Sequence, residues 1–143
     1  MSRQALLALA IVAISVAPAG ATPLRCTDPC TVLTNSAGYF TSVSEIGAGS
    51  TVVWSGSDES HPTADSVGPE RCFNVPVGYG VTPIPVRFDV TDGVVTATTG
   101  PDSPTPVTRT CVTTTTLDDD TILLPYRCLL HPWMHGALVI ESS

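Results

Sequence analysis

A thiol, an imidazole and a thioether lie close together near the C-terminus of the chain, at Cys128, His131 and Met134. A copper ion that cycles between Cu(I) and Cu(II) is served by one Cys and two His in a plane, with a weak axial Met. This loop lacks one imidazole of that set. Of the three histidines in the chain, His61 is the one remote from the loop. We therefore predict one copper ion, bound by His61, Cys128, His131 and Met134.

The residues between these ligands also follow a known pattern. The loop reads Cys128-x2-His131-Pro132-aromatic-Met134-x-Gly136, which resembles the ligand loop of amicyanin, one of the cupredoxins, the small blue copper proteins that also include plastocyanin. Upstream, the segment 49–54, a polar turn and His61 resemble the strand that leads to the first histidine of that family. The resemblance covers about residues 39–66 and 122–141.

The resemblance has implications for the ligands and for the activity. It implies that His61, Cys128 and His131 are equatorial ligands of a type 1 copper ion and that Met134 is the axial one. It also implies an electron carrier, in which no bond of a substrate is made or broken, so we expect no enzymatic activity. His131 is then the partly exposed ligand through which electrons pass, with Leu130, Pro132 and Trp133 around it as an apolar contact patch. Trp133 could instead fill the core.

Each ligand has a plainer interpretation. A single Cys is most often a small buried apolar residue, and a single Met often fills a gap in the core. Cys128 and His131 could form a nucleophile pair, but no orienting Asn or Asp stands beside them, and catalytic Cys and His usually come from distant positions. We predict that His135 is exposed and is not a ligand, because on a pleated strand it points away from Met134.

The N-terminus has the three parts of an export signal. Residues 1–3 include the basic Arg3, residues 5–17 are apolar, and Ala19-Gly20-Ala21 offers a small-residue cleavage site. We predict a signal peptide over residues 1–21 and one copper-binding domain over residues 22–143, secreted or periplasmic. The apolar run is too short to span a membrane.

The chain is acidic, with 13 Asp and Glu against 6 Lys and Arg. Loss of Arg3 with the signal peptide changes the formal net charge from −7 to −8. Such a surface repels nucleic acid and anionic membranes. We expect redox proteins that bind transiently as partners, no membrane span, and a monomer. The run of acidic residues 118–120 could steer a basic partner or could simply be solvated.

Five cysteines are present, and in an oxidising compartment the odd one must be committed elsewhere. If Cys128 binds the metal, the other four can form two disulfides in any of three pairings. We favour Cys26 with Cys30, and Cys72 with Cys111. The second closes the longer loop and stabilises the fold by about 3–4 kcal/mol in the chain-entropy model. A metal site at Cys26 and Cys30 competes with this pairing, but no His or further Cys lies nearby.

The composition favours strands, because Thr, Val, Gly and Pro are abundant and no helical period persists after the signal peptide. Asp92-Gly93 between alternating segments is a strong hairpin signal. The segments predicted as strands are 39–46, 51–55, 86–91, 94–98, 110–116, 122–128 and 136–141. Seven or eight strands at this spacing predict an all-β, cupredoxin-like Greek-key β-sandwich.

Two Pro-rich stretches, 75–85 and 100–106, must be loops at an edge or an end of the sandwich, because Pro is excluded from central strands. Either they are tolerated insertions or one of them walls the copper. Two other classes of function remain open for the chain as a whole. One is a copper-sequestering or copper-delivery protein with the same ligands, and the other is a β-sandwich interaction module with a vestigial site.

The chain departs from the cupredoxins at Pro62. Relatives often carry Asn after the first histidine, and its N–H donates to the ligand sulfur, whereas proline has no N–H to give. Because a hydrogen bond to the thiolate withdraws electron density, its loss favours the oxidised metal. The segment from Trp54 to His61 is also about one residue shorter than in the family.

We predict that Pro62→Asn raises the reduction potential of the copper, because the variant regains a donor to the sulfur of Cys128. Voltammetry of the copper-loaded wild-type and variant proteins checks this. An unchanged or lowered potential in the variant would contradict it.

Overall fold

The computed structural model describes residues 24–142 and is all-β over that range. The predicted signal peptide, 1–21, lies outside the described residues. The described part contains thirteen strands rather than seven or eight, partly because three of them have only two residues. The strands are β1 Leu24–Arg25, β2 Cys30–Asn35, β3 Gly38–Phe40, β4 Val43–Gly47, β5 Thr51–Gly56, β6 Thr63–Ala64, β7 Asn74–Val75, β8 Val86–Thr91, β9 Val94–Thr99, β10 Val107–Thr110, β11 Thr115–Asp118, β12 Thr121–Cys128 and β13 His135–Glu141.

The strands form two mixed sheets, consistent with the predicted sandwich. The first sheet has the order β1-β4-β13-β12-β6-β7, with β11 also paired to β12. The second has the order β10-β9-β8-β5-β2-β3. β4 runs parallel to β13, and β2 runs parallel to β5, whereas the other long pairs are antiparallel. The Greek-key connectivity stays a prediction.

The hairpin predicted at Asp92-Gly93 is confirmed. β8 and β9 pair from Thr91 with Val94 to Val86 with Thr99. Both turn residues have positive φ, 52° for Asp92 and 75° for Gly93. A two-residue turn with that backbone suits the right-handed twist of the strands, and Asp and Gly tolerate it best.

Two predicted strands were wrong because the chain changes sheet inside them. The segment 39–46 divides into β3 of the second sheet and β4 of the first. The segment 110–116 breaks between β10 and β11, where Cys111 is held by its disulfide and Thr113 donates to Asp65. The strand β2 was missed, because its alternation places Thr34 inside and leaves Leu33 59% exposed, contrary to their polarities.

The core between the sheets is set by strict alternation along β12. Ile122, Leu124, Tyr126 and Cys128 are all buried, and the residues between them are at least partly exposed. Tyr126 packs edge-on against Trp54 and Tyr39, with ring centroids 5.2 and 4.8 Å away. Because successive side chains point to opposite faces of a strand, the same alternation that fills the core turns the sulfur of Cys128 inward.

The disulfides favoured from the sequence are both present, Cys26–Cys30 and Cys72–Cys111, and Cys128 is the free cysteine among the described residues. Disulfides form and persist in oxidising environments outside the cytoplasm. Within residues 24–142 we find no helix of the length and apolarity needed to cross a membrane.

We predict that stability falls as the pH rises above about 10. Burial raises the pKa of Tyr126 above its ordinary value of 10.0, so the unfolded chain ionises first and the folded chain must keep the proton. Ionisation of Tyr126 therefore does not affect stability below that pH, and stability falls as the pH rises towards the folded pKa because only the unfolded chain gains free energy by losing the proton. Tyr39 acts in the same direction, also through burial.

Tyr126→Phe should reduce this alkaline loss without a cost at neutral pH, because the hydroxyl has no hydrogen-bond partner among the described residues. Urea midpoints at about pH 8 and about pH 11 measure it. Tyr79→Phe is the control, since Tyr79 is 83% exposed. An alkaline loss in Tyr126→Phe as large as in the wild type would contradict the prediction.

Candidate metal centre

The segment with His61 crosses from one sheet to the other. β5 ends at Gly56 in the second sheet, and β6 begins at Thr63 in the first. β6 pairs with the end of β12, and this register sets Thr63 opposite Cys128. The pairing therefore brings His61, two residues before Thr63, to the same end of the sandwich as the sulfur.

Backbone hydrogen bonds fix the crossing segment on both sides. The N–H of Leu129 donates to the carbonyl of Pro62 at 2.8 Å, which ties the two predicted ligand segments together directly. On the other side, the N–H of His61 donates to the carbonyl of Val77 at 2.8 Å, and the N–H of Tyr79 donates to the backbone carbonyl of Asp58 at 2.7 Å. The Pro-rich stretch 75–85 is a loop, as predicted, apart from Val75 at the end of β7, and these bonds hold it against the His61 segment.

A buried chain of hydroxyls supports the backbone of His61. The hydroxyl of Thr63 donates to the carbonyl of His61 at 2.9 Å. Since that proton is committed, the hydroxyl of Tyr39, 2.9 Å from the oxygen of Thr63, is the donor in the next bond. All three side chains are at most 3% exposed, so water does not compete for these bonds.

The loop after β12 closes on itself through its backbone. The N–H of Met134 donates to the carbonyl of His131 at 2.9 Å, and the N–H of Cys128 donates to the carbonyl of Met134 at 3.1 Å. Met134 is 1% exposed, so its thioether is buried within this end of the sandwich. The tight turn therefore holds Cys128, His131 and Met134 in one compact unit.

Three of the four predicted ligands meet. The Sγ of Cys128 lies 3.3 Å from Nδ1 of His131 and 3.9 Å from Nδ1 of His61, and the two Nδ1 atoms are 3.1 Å apart. Cys128 and His61 are fully buried. Together the three residues form a group that could hold a metal ion. The assignment of Met134 as axial ligand stays a prediction.

These separations suit a shared metal ion. Nitrogen and sulfur ligands lie at about 2.0–2.3 Å from a metal such as zinc, so ligand atoms around a common centre are roughly 3.3–3.8 Å from one another. The observed range of 3.1–3.9 Å brackets that value. The donor set of one thiol sulfur and two imidazole nitrogens is therefore spaced so that it could hold a metal ion.

Two acidic residues that the sequence did not single out contact the histidines from outside. Oδ1 of Asp58 lies 2.7 Å from Nε2 of His61, and Oε1 of Glu59 lies 2.9 Å from Nε2 of His131. The pKa of Asp58 is lowered, mainly because the backbone N–H of Ser36 and then its hydroxyl donate to the carboxylate. The sequence did contain a sign of these contacts, since Asp58 and Glu59 are consecutive acidic residues three and two positions before the predicted ligand His61.

The surroundings of His131 are partly open. Its side chain is 15% exposed, and its ring lies 5.0 Å from that of Trp133. Leu130 and Trp133 are 60% and 64% exposed, so Trp133 does not fill the core. The indole N–H of Trp133 donates to the carbonyl of Ser36 at 3.1 Å, which holds the ring beside the histidine. His135 is exposed on β13, opposite Arg127.

A separate cleft of about 400 Å³ lies beside Cys72. None of the four predicted ligands lines it. The residues that do are Pro69, Arg71, Cys72, Phe73, Asn74, Thr99, Val107 and Arg109.

Comparisons with protein-family models, with curated proteins and with solved structures found no match. The resemblance to the cupredoxins therefore stays a prediction from the motif in this sequence.

Steric crowding explains why the ligand motif has glycine at position 136. Gly136 of β13 pairs with Tyr126 of β12, and a Cβ at position 136 would lie under 3.0 Å from three atoms of the Tyr126 ring and hydroxyl. That ring is buried and packs edge-on against Trp54 and Tyr39, which restrict its movement away from the added atom. Glycine is thus required where the strand leaves the ligand loop.

We predict that Gly136→Ala destabilises the fold by about 2–3 kcal/mol, the upper part of the range for overpacked cores. Urea unfolding measures the change in free energy. Gly68→Ala is the control, because a Cβ there meets nothing within 4 Å. Equal stability of the two variants would refute the steric explanation.

Proposed function

We propose that this chain is an exported type 1 copper protein that carries single electrons between redox partners. The observation that supports it most directly is the convergence of Sγ of Cys128 and Nδ1 of both His61 and His131, with no pair more than 3.9 Å apart. The other ring nitrogen of each histidine is occupied by a carboxylate acceptor.

The pattern of hydrogen bonds favours a cation at the centre. A neutral imidazole has one N–H. Because a carboxylate only accepts hydrogen bonds, the N–H of each ring must be at Nε2, and Nδ1 then carries a lone pair. Two such lone pairs only 3.1 Å apart, facing a sulfur, repel one another. A metal ion held by Cys128, His61 and His131 would remove this repulsion and use all three donors.

The donor types favour copper over zinc. A thiolate and a thioether are soft ligands that suit Cu(I), imidazole suits both oxidation states, and a thioether is a poor ligand for zinc. Met134 is buried in the loop that holds Cys128 and His131. Copper supplies a one-electron couple to such a site. The rigid strands and backbone bonds around the ligands keep the reorganisation between the two oxidation states small.

The exposed side of the site suits brief contact with a partner. His131 is the ligand nearest to solvent, and the apolar side chains of Leu130 and Trp133 flank it. Small apolar patches of this kind serve weak, transient complexes such as those of electron transfer. The two disulfides agree with a secreted or periplasmic location.

Cys128→Ser tests the proposal. With Cu(II) bound, the wild-type protein should show an intense visible band from charge transfer between thiolate and copper, a paramagnetic spectrum with small copper hyperfine splitting, and fast, reversible voltammetry. The variant should lose the band and bind Cu(I) roughly 100-fold or more weakly, since a first ligand matters at least as much as its outer partners. The disulfides are untouched by this change and should keep the fold.

The outcomes separate the competing functions. Bound copper that exchanges readily as Cu(I) but transfers electrons slowly would favour a sequestering or delivery protein. A folded protein that takes up no copper would leave only an interaction module, and would refute the proposal.

A further inference from the structure

Asp58 and Glu59 each contact the outer nitrogen of one predicted ligand, at 2.7 and 2.9 Å. We propose that this consecutive pair is a carboxylate clamp, a set of positioning residues that selects the tautomer and the ring orientation of both histidines. The inference rests on the proposed function, because the clamp would serve the copper ion held by His61 and His131.

The clamp acts through the choice of tautomer. A carboxylate only accepts hydrogen bonds, so each ring must present an N–H at Nε2 and a lone pair at Nδ1. The lone pairs of both rings then point towards the sulfur of Cys128, which is the arrangement that a metal needs. In the opposite tautomer, the lone pair of Nε2 would face the carboxylate and the N–H of Nδ1 would point at the position of the metal.

The clamp is anchored on the turn between β2 and β3. The backbone N–H and the hydroxyl of Ser36 donate to Oδ2 of Asp58 at 2.9 and 2.8 Å. The same hydroxyl lies 3.3 Å from Glu59, and the carbonyl of Ser36 accepts the indole N–H of Trp133. One turn therefore holds both carboxylates and one residue of the Cys128 loop, so the two predicted ligand segments share a single support.

The two carboxylates differ in what they can tolerate. Asp58 accepts with both oxygens, Oδ1 from His61 and Oδ2 from Ser36. An amide has one acceptor oxygen, so asparagine at position 58 cannot satisfy both neighbours in the metal-binding tautomer. Glu59 is 60% exposed, and one oxygen accepts from His131, so glutamine can keep that bond and lose only the charge.

The charges also favour one oxidation state. A carboxylate behind a ligating imidazole increases its basicity, and loss of such an outer partner typically costs 10–100-fold in metal affinity. Two negative charges stabilise Cu(II) more than Cu(I) because the attraction grows with the charge of the ion. A loss that is tenfold greater for Cu(II) than for Cu(I) appears as a rise of about 59 mV in the potential.

The test compares Asp58→Asn, Glu59→Gln and Glu59→Ala, with Asp119→Asn as a control that removes one charge at the opposite end of β12. Titration with Cu(II) and with Cu(I) gives the two affinities. Nitrogen NMR of the metal-free protein at about pH 8, above the ordinary His pKa of about 6.5, reports the tautomer of each ring.

We expect Nε2–H for both rings in the wild type. Asp58→Asn should mix the tautomers of His61 and weaken Cu(II) binding by about 10–100-fold. Glu59→Ala should mix the tautomers of His131 and weaken Cu(II) binding by about tenfold. The Cu(II) affinity of Glu59→Gln should stay within about threefold of the wild-type affinity. The control Asp119→Asn should bind Cu(II) as tightly as the wild type.

Several results would overturn the clamp. An Nδ1–H tautomer for either wild-type ring would do so, as would an Asp58→Asn variant that binds Cu(II) as tightly as Asp119→Asn. If Asp58→Asn fails to fold, the exposed Glu59→Ala decides the question through the tautomer of His131. If the wild-type protein binds no copper, the proposed function fails, and the tautomers of the metal-free protein still decide whether the clamp exists.

Discussion

The pairing of β6 with β12 is the constraint on which the site depends. It sets Thr63 opposite Cys128, and the carbonyl of Pro62 accepts the N–H of Leu129 just beyond the end of the strand. Two segments more than sixty residues apart in sequence are thereby fixed by backbone atoms, before any metal contributes. A slip of one residue in this register would turn His61 to the other face of the crossing segment and separate it from the sulfur. The metal-binding geometry is thus a property of the sheet, and the side chains only complete it.

The interior of the sandwich reinforces this register. Tyr126 is packed by Trp54 and Tyr39 on one side and lies over Gly136 of the neighbouring strand on the other. Since the ring fits only above a residue without a Cβ, the pairing of β12 with β13 is also specified by shape. The Tyr39 hydroxyl then extends this packing, through Thr63, to the backbone of His61. The core and the site are therefore connected by direct contacts, and a substitution of Tyr126 or Tyr39 would affect the position of His61 through Thr63.

The sequence allowed the local features of this molecule to be predicted and failed where the chain changes partner. The Asp92-Gly93 hairpin and the strand ending in Cys128 follow from turn chemistry and alternation. Cysteine counting left three disulfide pairings open, and the favoured one is present. The segments 39–46 and 110–116 have strand-like composition throughout, yet each spans a crossover between sheets, which composition does not reveal. The grouping of His61 with Cys128 and His131 could be anticipated because few residues in the chain can bind a soft metal.

The outer contacts of the histidines could not be predicted in the same way. Asp58 and Glu59 are ordinary polar turn residues in the sequence, and their meaning depends on which ring nitrogen faces outward. That in turn depends on the position of Ser36, in a hairpin of the other sheet. Asp58 and Glu59 are near His61 in the sequence, but only the fold brings Ser36 and His131 to them, so spacing along the chain does not reveal their shared support.

For an electron carrier, the features around the proposed copper ion act in one direction. Pro62 gives no N–H to the sulfur, and Asp58 and Glu59 add negative charge behind both imidazoles. In the proposed copper site each of these would stabilise the more highly charged Cu(II). Such a protein would release its electron readily and accept one only from a stronger reductant. Because Glu59 is 60% exposed beside His131, its charge also faces any partner that approaches the apolar side chains of Leu130 and Trp133. In the proposed copper protein Glu59 would then be part of the contact surface, and a partner that neutralises its charge on binding would raise the potential of the copper in the complex.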